Sequence, residues 1–438
     1  MLSYPDSVRF LYALGNEIRS LKFGLERIRA VLDALGNPQR TFRVVHVAGT
    51  NGKGSTCAMI EAGLRASHSF EARQYGARSA LQKPIRTGLF TSPHLIEPTE
   101  RIQISGVAVT PEQFQRAFAV VHETAEKLDL DCHPTYFETV TAMAFWLFRE
   151  LNVDTAVVEV GLGGRLDATN VVEPVLAVIT PIDFDHEIYL GHTLQAIARE
   201  KAGILKPGIP AIFARQRPEA SAVLEARATE LGVTVTRAAD FEICDLEIDA
   251  RGSRFSVVGL GASQFSVHCP LAGEHQVDNA LTAALALHKL GVSPEGIEYT
   301  RWPGRLEHVA PNPDVILDGA HNPAGARALA RYLERFYAHR RIWMIYGAMR
   351  DKAVEEIAGI LFPIAHDLIF TASNFARALR PEALVEIAGR GETAPSVADA
   401  LQLARGRADA DDVIIITGSL FLVGEARALF QSVRVGYG

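Results

Sequence analysis

Between residues 48 and 56 the chain reads Ala48-Gly49-Thr50-Asn51-Gly52-Lys53-Gly54-Ser55-Thr56. Glycines let backbone N–H groups approach an anion closely, and a helix opening after them would add its N-terminal dipole. Lys53 would then supply a point charge to the outer phosphates of a nucleoside triphosphate. The pattern departs from GxxxxGK[ST] at two places. Val47 stands where the first glycine would be, and Gly54 separates Lys53 from Ser55. The alternative is a glycine-rich turn with a surface lysine. Glu159 closes the apolar run TAVVEV (155–160), where a carboxylate is costly unless paired or metal-bound, and glycines follow it. A charge at the solvent-facing end of a strand is the other possibility. His186, in DFDH (183–186), is either a hydrogen-bonded structural imidazole or a ligand. Gly161-Leu162-Gly163-Gly164 is no dinucleotide fingerprint, because Leu166 occupies the third glycine position of GxGxxG.

The elements that must position these residues alternate along the chain. After a short helical lead-in, RVVHVA (43–48) reads as a strand, and the stretch from Ser55 to Ala66 as a helix. Apolar runs at 155–160, 175–180 and 210–214 alternate with helical patterns at 137–151 and 193–205. Such alternation predicts a mostly parallel sheet covered on both faces. Residues 240–269 read as shorter strands, an antiparallel edge, before a helix over 276–291. The pattern breaks between Gly291 and Pro303, then resumes with apolar runs at 315–320, 341–347, 366–372 and 412–418. The expected fold is therefore α/β throughout. A P-loop-type domain of mostly parallel sheet spans 1–298, and a smaller doubly wound, Rossmann-like domain spans 299–438.

Composition sets the frame. At 438 residues the chain exceeds the roughly 300 at which single cores stop growing. A net charge of −7 gives no sign of a nucleic-acid or acidic-membrane surface, so anionic ligands must be met by local positive charge. Cys57, Cys132, Cys244 and Cys269 include no CxxC pair, which points to reduced thiols. No run of about 18 apolar residues and no cleavable leader are visible. The expectation is a cytoplasmic protein without membrane or nucleic-acid partners.

Ordered segments along nearly the whole chain carry a more specific signal: LKFGLERI (21–28), GTNGKGS (49–55), LFTSPHL (89–95), ERIQISG (100–106), YFETVTAMAFW (136–146) and VVEVGLGGRLDATN (157–170). DHEIYLG (185–191), REKAGILKPG (199–208), HQVDNALTA (275–283), WPGRLE (302–307) and LDGAHNP (317–323) complete the series. With them the chain resembles the folylpolyglutamate synthase and dihydrofolate synthase branch of the Mur ligase superfamily. That resemblance implies an ATP- and Mg²⁺-dependent ligase joining L-glutamate to dihydropteroate or to the tail of a reduced folate through an acyl phosphate. It implies ATP contacts at Thr50, Asn51, Gly52, Lys53, Gly54, Ser55, Asn279, Arg305, Asp318 and His321. Two Mg²⁺ sites are implied at Ser92, Glu159, His186 and Lys201. Lys201 acts there as a CO₂-derived carbamate, although its place beside Glu200 alone would suggest a solvated charge. Lys53, His186 and Lys201 are the implied catalytic group.

For the pterin, the resemblance points to Phe137, Glu138, Leu166, Asp167 and Ala168, with the stretch Lys22 to Leu25. Phe137 could equally belong to the core of its helix. One departure from the family is the long segment over 68–86. Its Arg73, Arg78, Lys83 and Arg86 either attract an acidic polyglutamate tail or sit in an ordinary solvated loop. A monomer is the family's default. Alternatives are a ligase for one folate reaction only, a cell-wall Mur ligase, or a non-catalytic nucleotide-binding regulator.

Overall fold

The computed structural model describes residues 2–15, 24–67, 85–130, 132–259 and 264–435. Lys22, Phe23, Arg73, Arg78, Lys83 and most of the 68–86 segment lie outside the described residues.

The first sheet contains β1 (Arg43–Ala48), β2 (Thr87–Phe90), β3 (Ile102–Ile104), β4 (Val107–Ala108), β5 (Thr155–Glu159), β6 (Leu176–Ile179), β7 (Ala211–Phe213) and β8 (Val235–Arg237). Their order is β4-β3-β2-β5-β1-β6-β7-β8. From β2 to β8 neighbours run parallel, and β3 and β4 form an antiparallel edge. Successive residues of β1 enter different cores: Val44 packs with Phe145 and Phe148, whereas Val45 and Val47 pack with Met59, Leu281 and Leu285. Burial on both faces explains why these strands are continuous apolar runs.

The structure corrects the reading of 240–269. β9 (Phe241–Ile248), β10 (Ser253–Gly259) and β11 (Gln264–Cys269) form their own antiparallel sheet, and the antiparallel edge of the main sheet is β3–β4. Phe255, Val257 and Val267 bury themselves in a core shared with Val277 and Leu281 of the helix Glu274–Lys289. The alternating apolar residues thus find cover against a helix and need no place in the larger sheet.

The third sheet holds β12 (Glu307–Ala310), β13 (Asp314–Asp318), β14 (Ile342–Tyr346), β15 (Asp367–Phe370), β16 (Glu392–Thr393) and β17 (Val413–Thr417), in the order β12-β13-β17-β14-β15-β16. All neighbours run parallel except β12 and β13. Val413 and Ile415 face one helical layer, Ile414 and Ile416 the other. Strands inside both sheets thus end in loops at their C-terminal ends, the edge where open α/β sheets bind ligands. Among the described residues no helix is long and apolar enough to cross a membrane.

Candidate active site between two sheets

A cleft of about 1330 Å³ is lined by the loops after β1, β2, β5 and β6 and, from the third sheet, by those after β13, β14 and β17. Its floor is the phosphate-type loop. The helix Lys53–Ala66 begins at Gly52, whose φ of +81° is left-handed and whose missing side chain leaves the first-turn N–H groups for an anion. Thr50 Oγ1 donates to the Asp183 carbonyl at 3.0 Å, and the Thr50 N–H donates to that of Pro181 at 3.0 Å, tying the loop to the segment after β6. Lys53 Nζ lies 3.3 Å from the Thr50 carbonyl oxygen.

The additional glycine of the loop has a steric cause. A Cβ on Gly54 would come within 2.6 Å of the Trp302 ring, and one on Gly52 within 2.2 Å of Asn279 Oδ1. Trp302 belongs to the segment leading into the third sheet, and Asn279 to the helix Glu274–Lys289. Asn279 donates to Gln276 Oε1 at 3.0 Å, and Gln276 reaches Ser55 Oγ at 3.3 Å.

Ser92 and Glu159 meet because β2 and β5 are parallel neighbours. The Ser92 N–H donates to Glu159 Oε2 at 3.0 Å, and Glu159 is buried with 4% exposure. This buried carboxylate beside a serine is a donor set that fits a hard cation such as Mg²⁺. Lys201, on the helix Leu194–Ala202, is also buried, and its Nζ donates to the Gly49 carbonyl at 2.7 Å. Burial, reinforced by the charge of Lys53, lowers its pKa to about 7. The bland reading of a solvated surface lysine is therefore overturned.

His186 has a left-handed φ of +53°, and burial lowers its pKa to about 4. Its neighbour Asp185 holds the centre of a network across the cleft. Lys352 Nζ lies 2.9 Å from Asp185 Oδ1, and Asn322 Nδ2 donates to Asp185 Oδ2 at 3.4 Å. Burial opposes ionisation of Asp185, but the neighbouring His186, Lys352 and His321 outweigh it and hold the carboxyl well below its usual range. Asn322 Nδ2 also donates to Asn51 Oδ1 at 2.9 Å, a direct bond between the phosphate loop and the third sheet's domain.

Opposite the loop, Asp318 at the end of β13 accepts the N–H groups of Leu306 and Ala320, each at 3.0 Å, and fixes the turn that carries Arg305. Burial raises the Asp318 pKa against the opposing charge of Arg305. His321 Nδ1 donates to the Gly319 carbonyl at 2.7 Å, which leaves Nε2 facing Asp185 at 3.9 Å.

Farther along, Phe137, Glu138, Leu166, Asp167 and Ala168 all line the cleft. The Phe137 ring covers Gly161, where a Cβ would come within 2.5 Å of it. The two carboxylates are engaged by the protein itself. Glu138 accepts the Thr135 N–H at 2.8 Å in a capping box and pairs with Arg27 at 3.1 Å. Asp167 accepts from the N–H groups of Leu162 at 2.8 Å and Thr169 at 3.0 Å, and burial raises its pKa to about 6. Sequence reading passed over Lys352, Asn322 and Gln276. The position of Lys352 just beyond the apolar run 341–347 was the available signal for the first of them.

Two family models match the chain. Residues 110–287 match the Mur ligase middle domain and residues 304–420 the Mur ligase glutamate ligase domain. The chain is 36% identical to the dihydrofolate synthase/folylpolyglutamate synthase of Mycobacterium tuberculosis over 93% of this chain and 90% of that protein. It is 31% identical to the protein of that name from Escherichia coli, over 95% and 94%. Among solved structures, the Mycobacterium tuberculosis folylpolyglutamate synthase complexed with ADP superposes with a TM-score of 0.86 at 35% identity, covering 98% and 99% of the two chains. Escherichia coli FolC in complex with DHPP and ADP gives 0.86 at 30% identity, over 99% and 100%.

Proposed function

This chain belongs to the dihydrofolate synthase/folylpolyglutamate synthase family of Mur ligases, and we propose that it is an ATP-dependent ligase adding L-glutamate to dihydropteroate and to the glutamate tail of reduced folate. One observation carries the reading. The phosphate loop faces Arg305, Asp318 and His321 of the other sheet across a single cleft, with Asn51–Asn322 and Asp185–Lys352 bonds joining the two sides.

A carboxylate has no usable leaving group, so amide formation requires its activation. The acceptor carboxylate takes the γ-phosphoryl group of ATP, giving an acyl phosphate and ADP. The neutral amine of glutamate attacks the acyl carbon, and the tetrahedral intermediate expels phosphate. In this reading the N–H groups opening the helix Lys53–Ala66 hold phosphate oxygens, with Lys53 and Arg305 contributing positive charge. Thr50, Asn51, Gly52, Gly54, Ser55 and Asn279 shape the same loop. Mg²⁺ at Ser92 and Glu159, and a second at His186 and a Lys201 carbamate, would neutralise charge on the transferring group. Carbamylation joins the Lys201 nitrogen to CO₂ with loss of a proton. The burial of Lys201 and its lowered pKa support the required neutral amine.

Phe137, Leu166 and Ala168 are proposed to meet the flat heterocycle, while Glu138 and Asp167 hold the backbone behind them. Approach of the two domains, divided at 298/299, would exclude water from the hydrolysable acyl phosphate. A monomeric, cytoplasmic enzyme is the state we assign.

The test is phosphate release by purified protein with ATP and Mg²⁺, with dihydropteroate and tetrahydrofolate tried separately, with and without L-glutamate, while mass spectrometry follows the products. Glutamate-dependent turnover of both acceptors supports the proposal. Turnover of one restricts it to a single reaction, and turnover of neither rejects it.

A further inference from the structure

The helix Pro111–Glu126 and the segment preceding the helix Tyr136–Glu150 bring together three side chains that the ligase chemistry does not use. His122, Glu126 and His133 each offer a donor atom, and these atoms lie within 4.8 Å of one another. Glu126 Oε1 stands 4.0 Å from His122 Nδ1 and 3.8 Å from His133 Nε2. Both separations exceed a hydrogen bond, and both imidazole nitrogens are buried without a hydrogen-bond partner.

The tautomer of His133 follows from its other nitrogen. Nδ1 lies 2.8 Å from the Pro134 carbonyl oxygen, which can only accept, so Nδ1 carries the proton. In the neutral tautomer that this bond selects, Nε2 turns a lone pair toward a carboxylate, an arrangement that repels unless a cation lies between them. A backbone carbonyl fixing one imidazole nitrogen so that the other can ligate is the usual support of a metal-bound histidine. The rings are also held by packing: Phe10 lies 4.6 Å from His122 and 5.6 Å from His133, and Phe118 stacks on His122 at 5.3 Å, measured between centroids.

We propose that His122, Glu126 and His133 bind a divalent ion of the Zn²⁺ class, at a site separate from the hard-oxygen donors at Glu159. Two imidazoles and one carboxylate suit such an ion better than Mg²⁺. Tetrahedral bonds of about 2.0–2.2 Å set donors roughly 3.3–3.6 Å apart, so the exposed Glu126 carboxylate, now at 4.0 and 3.8 Å, would close on the two imidazoles as the ion enters. Glu126 is 59% exposed, so water can complete the coordination. The ion fastens the end of one helix to the segment that leads into Thr135, whose capping box with Glu138 opens the helix beside the cleft. Its role is structural: it fixes that segment.

The test uses the full chain, stripped with a chelator and dialysed against Zn²⁺ in excess Mg²⁺, with bound zinc counted by plasma mass spectrometry. Co²⁺ serves as the spectroscopic substitute. The expected result is one equivalent of zinc on the parent protein, none on the His122→Gln/His133→Gln variant, and affinity at least about tenfold weaker in Glu126→Gln. Intense visible cobalt bands should accompany the parent protein and vanish in the double variant. Glu126→Gln changes an exposed side chain, so it keeps the test open if the double variant does not fold. Zinc absent from the parent protein, or retained equally by folded variants, overturns the proposal.

Discussion

Charged groups at the two ends of the cleft are held in different ways. At the end assigned to the nucleotide, Asp185 is gripped by Lys352 and Asn322 from the opposite sheet's domain, and Asn51 shares Asn322. At the end assigned to the pterin, Glu138 is held by Thr135 and Arg27, and Asp167 by Leu162 and Thr169, all from the first domain. The end assigned to the nucleotide is therefore built from both sides of the cleft, whereas the end assigned to the pterin is built from one. Substitutions at the first should act on turnover, and substitutions at the second on stability and acceptor affinity.

The largest effect is expected from Lys53→Ala. Removing the charge on the phosphate loop should lower kcat/KM by about 10³-fold in the phosphate-release assay, with thermal unfolding unchanged. Lys352→Ala comes next, with kcat down roughly 10- to 100-fold, because a buried carboxylate left without its cation costs about 3 kcal/mol in the closed arrangement. Adding Asp185→Asn should recover part of the lost turnover in a double-mutant cycle, and strict additivity would show that the two side chains are not coupled. Gly54→Ala should lower ADP affinity about tenfold by calorimetry, since the new methyl group meets the Trp302 ring. At the other end, Glu138→Gln should cost about 1–2 kcal/mol in denaturant unfolding and raise the acceptor KM, with ADP affinity unchanged.

Acid should act on both domains. Burial lowers the pKa of His46 to about 3 and that of His308 to about 4, from 6.5. Each is neutral when folded and takes up a proton more readily when unfolded. Stability is therefore present above pH 6.5 and falls as pH drops from 6.5 toward 4, by roughly 3 kcal/mol through the fully buried His46 alone. Denaturant midpoints measured across that window check it, and a flat profile would contradict it.

Much of this arrangement was legible in the residues. Apolar runs marked the inner strands of both α/β sheets because burial on both faces leaves little room for polar positions. Glu159 was legible because a carboxylate at the end of such a run is conspicuous. The independent sheet over 241–269 was not, since strand periodicity says which face is buried but not what covers it. Lys352 and Asn322 escaped because their partners, Asp185 and Asn51, lie far away in the chain and meet them only through the packing of two sheets. The engagement of Glu138 and Asp167 with their own backbone was equally invisible, because a motif gives residue types and not the direction of their hydrogen bonds.

In the proposed reaction the cleft activates an acceptor carboxylate by phosphorylation before glutamate attacks. Dihydropteroate or tetrahydrofolate carrying heavy oxygen in the reacting carboxylate tests it most directly, with mass spectrometry of the phosphate released during glutamate-dependent turnover. One labelled oxygen should move from the carboxylate into the phosphate. Unlabelled phosphate alongside a correctly formed amide would contradict it.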